Sequence, residues 1–326
     1  MSDDKKETEY AAVPLSEIIP EQDLVTDIYL KINEKYLKYK EKSDFLKAHK
    51  YDLFMSKNVK EVYIHISELK TFMGWLEKNK ADRVDEIVEQ VGEDYRELVE
   101  KREEIKGLVF ETFADQELDS EIVDILKDQI KGFVAELSEK DVSQNVVARL
   151  MAHNPSLADH ALNVANLSVF LGMTLGYGSA FDLENLYLGG LLHEYGKIKI
   201  PANVLENPSS PMYAEAISRY PELGAKLLKK HKNIPQQVVM IVGQHCEKFN
   251  GQGFPRGLKG EDIYPLAKIV SIAVHFDNAV IKNIKKPSQM YKIACKTIEH
   301  DRGSFDPKML ERVVDGLKLA YTNFEK

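Results

Sequence analysis

Apolar residues recur at three- and four-residue steps through the chain from Arg83 onward, and this spacing is typical of amphipathic helices. Two long stripes precede residue 140. The first comprises Ile87, Val91, Tyr95, Leu98, Val99, Ile105, Leu108 and Val109, and the second comprises Ile122, Ile125, Leu126, Ile130, Phe133, Val134 and Leu137. They predict two helices. These helices form either a connector or dimerisation stalk, or pack against the C-terminal part of the same chain. The pattern leaves both possibilities open.

The residues before this point have a different pattern, in which short runs of β-branched and aromatic residues alternate with helical stretches. Strands are predicted at 24–32, 36–39 and 62–64, and helices at 43–56 and 67–78. Asn33 and Glu34 stand between the first two strands as a hairpin turn. Residues 1–80 are therefore expected to form a small mixed α/β accessory or regulatory module.

The C-terminal half is predicted to be all-α, because it contains helical stripes separated by loops with glycine and proline and no alternating strand pattern. Helices are predicted near residues 156–176, 183–193, 212–230, 235–246, 265–280 and 307–324. The fold class is thus mainly α. Its expected parts are a module at 1–80, a helical connector at 81–146 and a helical domain at 147–326.

Composition narrows the class of protein. The 326 residues are 44% hydrophobic and 29% charged, close to the average of globular domains, and the net charge of −8 argues against DNA as a partner. Neither a secretory signal nor an apolar run long enough to span a bilayer is present. The two cysteines, Cys246 and Cys295, suggest no disulfide framework. We therefore expect a cytoplasmic protein.

Candidate chemistry is concentrated between residues 160 and 277. His160 lies in ADHALNVANLSVFLG, and His193, Glu194 and Lys197 lie in LLHEYGKIKIP. The segments YPELGAKLL, GQHCEKFNGQGFPRGLKGEDI and IVSIAVHFDNAV follow in that order. This succession, over about residues 147–326, resembles the HD-GYP family of the HD superfamily. The Gly-Tyr-Pro motif of that family is matched by Gly253-Phe254-Pro255.

The resemblance implies a bacterial helical domain that encloses two or three divalent metal ions, commonly iron or manganese, and hydrolyses cyclic di-GMP. It also implies cyclic di-GMP or a related nucleotide as ligand, a GGDEF-type signalling protein as a candidate partner, and a homodimer as a candidate assembly. A metal pair suits this reaction because it generates hydroxide at neutral pH and neutralises phosphate charge.

Several functional positions of the family are retained. Its first histidine matches His160, the histidine of its His-Asp pair matches His193, and the first of its adjacent histidines matches His245. Lys197 matches the lysine that follows the His-Asp pair and is a candidate for stabilising phosphoryl charge. A helix-terminal cation is an equally good interpretation of Lys197.

Four other positions depart from the family's pattern. Glu194 replaces the metal-bridging aspartate, Tyr220 replaces a histidine, Cys246 replaces the second adjacent histidine and Val274 replaces the final aspartate. A phenol with a pKa near 10 is a poor metal ligand and valine is none, whereas a thiolate can bind metal. Cys246 is therefore either an altered ligand or a core thiol. Neighbouring His275 is expected to face away from the site.

The loop at 251–256 is a candidate substrate or partner contact through Gly251, Gly253, Phe254, Pro255 and Arg256, although its glycines also have a simple turn-forming role.

Three functional hypotheses follow. The first is a degenerate HD-GYP regulatory protein of cyclic di-GMP signalling whose phosphodiesterase activity is lost or very weak. The second is an active, unconventional phosphodiesterase with iron, manganese or zinc held by the retained residues, in which Glu194 and Lys197 are catalytic. The third is a metal-free nucleotide receptor that uses Arg256 and Lys259 for phosphate.

Overall fold

The structure is a computed structural model that describes residues 10–33, 35–57, 59, 61–114, 120–139, 157–205, 207–283, 285–286, 289–301 and 303–321. Within them, a small antiparallel sheet is followed by helices to the end of the described chain. The predicted mainly-α fold with an N-terminal α/β module and a C-terminal helical domain is therefore confirmed. None of the described helices combines the length and apolar character needed to cross a bilayer.

The N-terminal sheet contains β1 (Tyr10–Pro14), β2 (Ile28–Ile32), β3 (Lys35–Lys40) and β4 (Glu61–His65) in the order β1-β4-β2-β3. Alternation along the strands sends Val13, Ile28, Val62 and Ile64 into the core. Helix α1 (Ala48–Ser56) packs on this side, where the rings of Tyr39 and Phe54 have centroids 5.0 Å apart. The opposite face carries the rings of Tyr10, Tyr29, Tyr36 and Tyr63 in contact with one another.

Three long helices link this sheet to the C-terminal half: α2 (Leu69–Val91), α3 (Arg96–Ala114) and α4 (Ser120–Glu139). Gly92 ends α2 with a φ of 108°, in the region that favours glycine. Both α3 and α4 pack on the helices of the C-terminal half rather than projecting from the molecule. An ion pair of 2.5 Å between Lys106 of α3 and buried Asp159 adds to this contact.

The C-terminal half consists of helices that place the candidate site at its centre. They are α5 (Leu157–Leu175), α6 (Ala180–Leu192), α7 (Pro211–Leu228), α8 (Gln236–Gln244), α9 (Pro265–Lys282), α10 (Met290–His300) and α11 (Pro307–Tyr321). A 3-10 turn, Tyr195–Lys199, and a one-turn helix, Ala202–Leu205, lie between α6 and α7. Helices α5 and α6 approach closely because Gly190 has no side chain: a Cβ there would lie 2.6 Å from the Cα of Ala165.

Several predicted bounds differ from the structure. Strand β2 starts at Ile28 and helix α1 starts at Ala48, later than predicted. Ser43, with a φ of 66°, is incompatible with the helix predicted from residue 43. Strand β1 and helix α10 were not predicted. The predicted boundary between residues 146 and 147 lies outside the described residues.

Candidate metal site

Three histidines from three helices meet in the interior of the C-terminal half. His160 lies in the first turns of α5, His193 follows the end of α6, and His245 follows the end of α8. The ring centroids of His160 and His193 are 5.1 Å apart, and those of His193 and His245 are 5.2 Å apart. All three rings are buried. Three residues that lie at least 33 positions apart along the chain are thus brought together by the packing of α5, α6 and α8.

Each imidazole is held through its Nδ1 atom. His160 Nδ1 lies 2.6 Å from Oδ2 of Asp277 in α9, His193 Nδ1 lies 2.7 Å from the carbonyl oxygen of Gly190, and His245 Nδ1 lies 2.8 Å from that of Val242. Such contacts fix the ring orientation and leave Nε2 as the nitrogen that can bind a metal. Asn163 donates a further hydrogen bond of 3.1 Å to Asp277.

The atoms of His160, His193 and Glu194 that could bind a metal all lie within 4.8 Å of one another. Nε2 of His193 is buried and has no hydrogen-bond partner among the described residues, although Oε1 of Glu194 is 3.9 Å away. Two imidazoles and a carboxylate form a donor set that suits borderline divalent metals such as zinc or iron. These residues therefore fit one metal ion, with an orphaned nitrogen directed into the cluster.

A hydrogen-bonded cluster of Tyr220, His245 and Cys246 adjoins these ligands. The Tyr220 hydroxyl lies 2.8 Å from Nε2 of His245 and 3.2 Å from Sγ of Cys246. Since the neutral ring of His245 donates from Nδ1 to a carbonyl oxygen, its Nε2 accepts a hydrogen bond from the Tyr220 hydroxyl. The Lys197 amine contacts the Glu194 carboxylate and lies 5.2 Å from the centre of the Tyr220 ring. The nitrogen of His245 that could bind metal is thus engaged by a tyrosine.

The electrostatics of the site favour neutral imidazoles at His193 and His245 beside a charged carboxylate. Burial lowers the pKa of His193 well below its usual value and that of His245 to about 4. Burial raises the pKa of Cys246 to about 12, so its thiol stays protonated at neutral pH. Burial also opposes ionisation of Glu194, but the charges of Lys197 and nearby histidines outweigh it and lower the pKa of Glu194.

His160 differs from the other two histidines. Burial lowers the pKa of His160, but the hydrogen bond and negative charge of Asp277 outweigh that effect and raise it. The contact between His160 and Asp277 was not predicted from the sequence, because the two residues lie 117 positions apart. A signal for it was present: Asp277 is an acidic residue in an otherwise apolar helix, and a buried carboxylate needs a partner.

Helix α9 brings no carboxylate to the position matched by Val274, which is half-buried against the core. Nδ1 of His275 lies 2.8 Å from the carbonyl oxygen of Ser271, and its ring packs 5.0 Å from that of Phe305. Neither residue belongs to the group of candidate ligands found among the described residues.

The loop after α8 covers one side of this cluster. Phe254 and Cys246 pack against a small hydrophobic cluster that contains Tyr220, and the amide of Phe254 donates to the carbonyl oxygen of Cys246. Gly251 has a φ of 81°, and a Cβ on Gly253 would collide with the backbone of residues 246–248. Pro255 follows Phe254 across a cis peptide bond. The loop therefore lies against the site through the ring of Phe254.

A buried carboxylate that the sequence analysis missed holds this loop. Glu247 accepts hydrogen bonds from the backbone amides of Arg256, at 2.8 Å, and Leu258, at 2.9 Å. Its side chain is buried, and both of its oxygens are used. No signal in a single sequence separates such a residue from an ordinary surface glutamate.

Comparison with known proteins assigns the C-terminal half of the chain to a family. The HD domain family matches residues 145–309, half of the chain. The cyclic di-GMP phosphodiesterase response regulator RpfG of Xanthomonas campestris is 34% identical over 139 residues, 41% of this chain and 37% of that protein. The 3'3'-cGAMP-specific phosphodiesterase 2 of Vibrio cholerae is 26% identical over 182 residues, 55% of this chain and 35% of that protein. The chain therefore spans about a third of the length of these relatives.

A solved structure resembles nearly the whole chain. It is Bd1817, an HDG"Y"P protein from Bdellovibrio bacteriovorus, which superimposes with a TM-score of 0.62 at 25% identity. The match covers 95% of this chain and 100% of that one. The family match, the relatives and this structure agree with the resemblance identified from the sequence. The chain therefore belongs to the HD domain family, as a member similar to the HD-GYP cyclic di-GMP phosphodiesterases.

Proposed function

We propose that this chain is a degenerate HD-GYP-type regulatory protein of cyclic di-GMP signalling, with a site for at most one divalent metal ion and with lost or very weak phosphodiesterase activity. The observation that carries the proposal is the hydrogen bond between Tyr220 and Nε2 of His245. It engages the imidazole that a second metal ion would need. Val274 removes a carboxylate from the same region.

One metal ion remains compatible with the residues present. His160, His193 and Glu194 would hold it, Asp277 orients His160, and the Gly190 carbonyl orients His193. A bound ion would supply a Lewis acid for a phosphate oxygen. Without a second ion, the simultaneous neutralisation of the attacking and leaving oxygens is lost. Loss or strong weakening of turnover follows.

The test compares the wild-type chain with a variant that restores the family's residues: Glu194→Asp, Tyr220→His, Cys246→His and Val274→Asp. Metal content is measured by elemental mass spectrometry on protein purified without chelators, and cyclic di-GMP hydrolysis is measured with added manganese or iron. We expect at most one equivalent of metal and no turnover above background for the wild-type chain. The restored variant should gain a second equivalent.

Addition of His193→Ala to both chains is the matched control, because it removes the ligand at the centre of the cluster. It should strip metal from both. Robust hydrolysis by the wild-type chain that is abolished by His193→Ala would refute the proposal and establish the alternative, an active unconventional phosphodiesterase. The clustering of His160, His193 and Glu194 around one point favours that alternative as the second candidate.

A further inference from the structure

Asp159 is a buried acidic residue directly beside the first candidate metal ligand. It lies in the first turn of α5, one position before His160, and its side chain is fully buried. One step along a helix turns a side chain by about 100°, so the two residues face different neighbours. His160 contacts His193 and Asp277. Asp159 contacts α3 instead. The orientation of this one turn therefore affects where the His160 imidazole lies.

Lys106 of α3 supplies the positive charge that this carboxylate needs. Its Nζ atom lies 2.5 Å from Oδ1 of Asp159, and only 19% of its side chain is exposed. Salt screens a buried or partly buried ion pair much less than an exposed one, and a fully buried carboxylate is costly once its partner is removed. The ion pair therefore ties the start of α5 to α3.

Helix α3 also contacts the N-terminal part of the molecule. It packs on α1 as well as on α5. Burial raises the pKa of the Tyr51 phenol in α1 well above its usual value, and the negative charge of Asp159 adds to the shift, which places that carboxylate near α1. The ion pair of Lys106 and Asp159 thus lies where α1, α3 and α5 meet, next to a candidate metal ligand.

We propose that Lys106 is a positioning residue for the metal site: through Asp159 it fixes the first turn of α5, and thereby the position of His160. This role rests on the proposed function, because it concerns the ligands of the same single metal ion. It adds control of metal affinity by α3, a helix that precedes the matched domain at 145–309. A displacement of α3 withdraws the partner of a buried carboxylate, so the turn that carries His160 has to rearrange.

Titration of the metal-free full chain with Zn²⁺, followed by isothermal titration calorimetry, tests this role with two variants of α3. Lys106→Met should weaken Zn²⁺ binding by at least about tenfold, the lower end of the effect of losing the contacts that support metal ligands. The matched control is Lys101→Met, which should leave the affinity unchanged. Lys101 lies on the same helix and pairs at 2.6 Å with the buried Glu136, but that carboxylate belongs to α4 rather than to α5.

The imidazole of His160 provides a second readout that needs no metal. In EDTA, the Nδ1 proton in its 2.6 Å contact with Asp277 should give a downfield NMR signal, which His160→Gln identifies by its loss. The signal should shift or broaden in Lys106→Met and stay in place in Lys101→Met. Lys106→Arg keeps the positive charge, so it should retain both the signal and the Zn²⁺ affinity.

An unchanged Zn²⁺ affinity in Lys106→Met would overturn the role of this lysine. So would an unchanged His160 signal in that variant, equal effects of the two lysine substitutions, or absence of Zn²⁺ binding to the wild-type chain. If Lys106→Met does not fold, Lys106→Gln keeps a hydrogen-bond donor for Asp159 and is compared with Lys101→Gln by the same criteria. Neither readout depends on turnover, so hydrolysis of cyclic di-GMP by the wild-type chain would overturn the proposed function and leave this result unaffected.

Discussion

The hydroxyl group of Tyr220 links His245 and Cys246. Without it, the metal-binding atoms of these two residues would have no hydrogen-bond partner among the described residues of the site. The hydroxyl lies within hydrogen-bonding distance of His245 Nε2 and Cys246 Sγ, and its ring is buried. A buried polar group is stabilising only while its partners are present. At the scale of single residues, the site therefore consists of a closed hydrogen-bonded cluster around Tyr220 and a group of candidate metal ligands around His193.

The hydrogen bond between Tyr220 and His245 leads to a prediction about stability. Tyr220→Phe should lower the free energy of unfolding by about 1–3 kcal/mol, because it leaves Nε2 of His245 buried without a partner. Urea denaturation followed by circular dichroism measures the change. The matched control is Tyr63→Phe, whose hydroxyl makes an exposed contact of 3.3 Å with Glu61 and should matter little. Equal stability of the two variants would show that the Tyr220 hydroxyl is not a structural element of the site.

The identity of candidate site residues was accessible from the sequence, but their contacts were not. The order of His160, His193 and His245 along the chain identifies them as a set. By contrast, the bonds of Asp277 to His160 and of Tyr220 to His245 join residues 117 and 25 positions apart. Such contacts are created by helix packing, on which a single sequence carries no direct information.

The contact between α5 and α6 is the element-scale feature on which the site depends, because α5 carries His160 and α6 ends at His193. Gly190 permits this contact: an added Cβ would lie 2.6 Å from the Cα and 2.9 Å from the backbone nitrogen of Ala165. Neither backbone atom can move without displacing the helix. The separation of the two histidines is therefore set by a residue that has no functional group.

We expect Gly190→Ala to destabilise the protein by about 1–3 kcal/mol or more through overpacking. Gly107→Ala is the matched control in α3, since no other described atom lies within 4 Å of the added Cβ. It should raise stability by about 0.5–1 kcal/mol, because alanine is the better helix former. Thermal unfolding of both variants measures these effects. Stabilisation by Gly190→Ala would mean that the helices do not approach this closely.

The apolar stripes were predictive in the C-terminal half, whereas the stripe from Ile87 to Val109, predicted as one helix, is divided between α2 and α3 at Gly92. The predictions for α5 to α9 hold within a few residues. Strand β1 is short and has alanine at two of its five positions, so it lacks a strong strand signal. Helix α10 has eleven residues and buries Met290, Tyr291, Ala294, Cys295 and Ile298, which recur at helical spacing, so its signal was present in the sequence and was overlooked. Pairing with β4 rather than local preference establishes β1.

At the scale of the whole molecule, the sheet, the connecting helices and the C-terminal helices share one hydrophobic core. Buried apolar residues from Val13 in β1 to Tyr321 in α11 belong to a single contiguous cluster. The sequence left open whether α3 and α4 form a stalk or pack internally, because amphipathic stripes are equally compatible with both. The structure has them packed on the C-terminal helices.

A shared core predicts cooperative unfolding. Trp75, the only tryptophan, lies in α2 and packs against the core beside Phe72. Its fluorescence should change over the same urea range as the helical circular dichroism signal, which is dominated by the C-terminal half. A tryptophan transition that precedes the loss of helix would show that the N-terminal part unfolds separately.

The two hydrogen bonds that Glu247 accepts from the backbone amides of Arg256 and Leu258 affect how quickly a partner can engage the loop. Because an internal carboxylate already fixes the backbone, a partner that contacts Phe254 or Arg256 meets a surface with little conformational entropy left to lose. Docking then resembles a rigid-body encounter, whose rate depends on diffusion and charge rather than on loop rearrangement. If turnover is lost, as proposed, such a surface would still allow the protein to act as a fast, reversible adaptor.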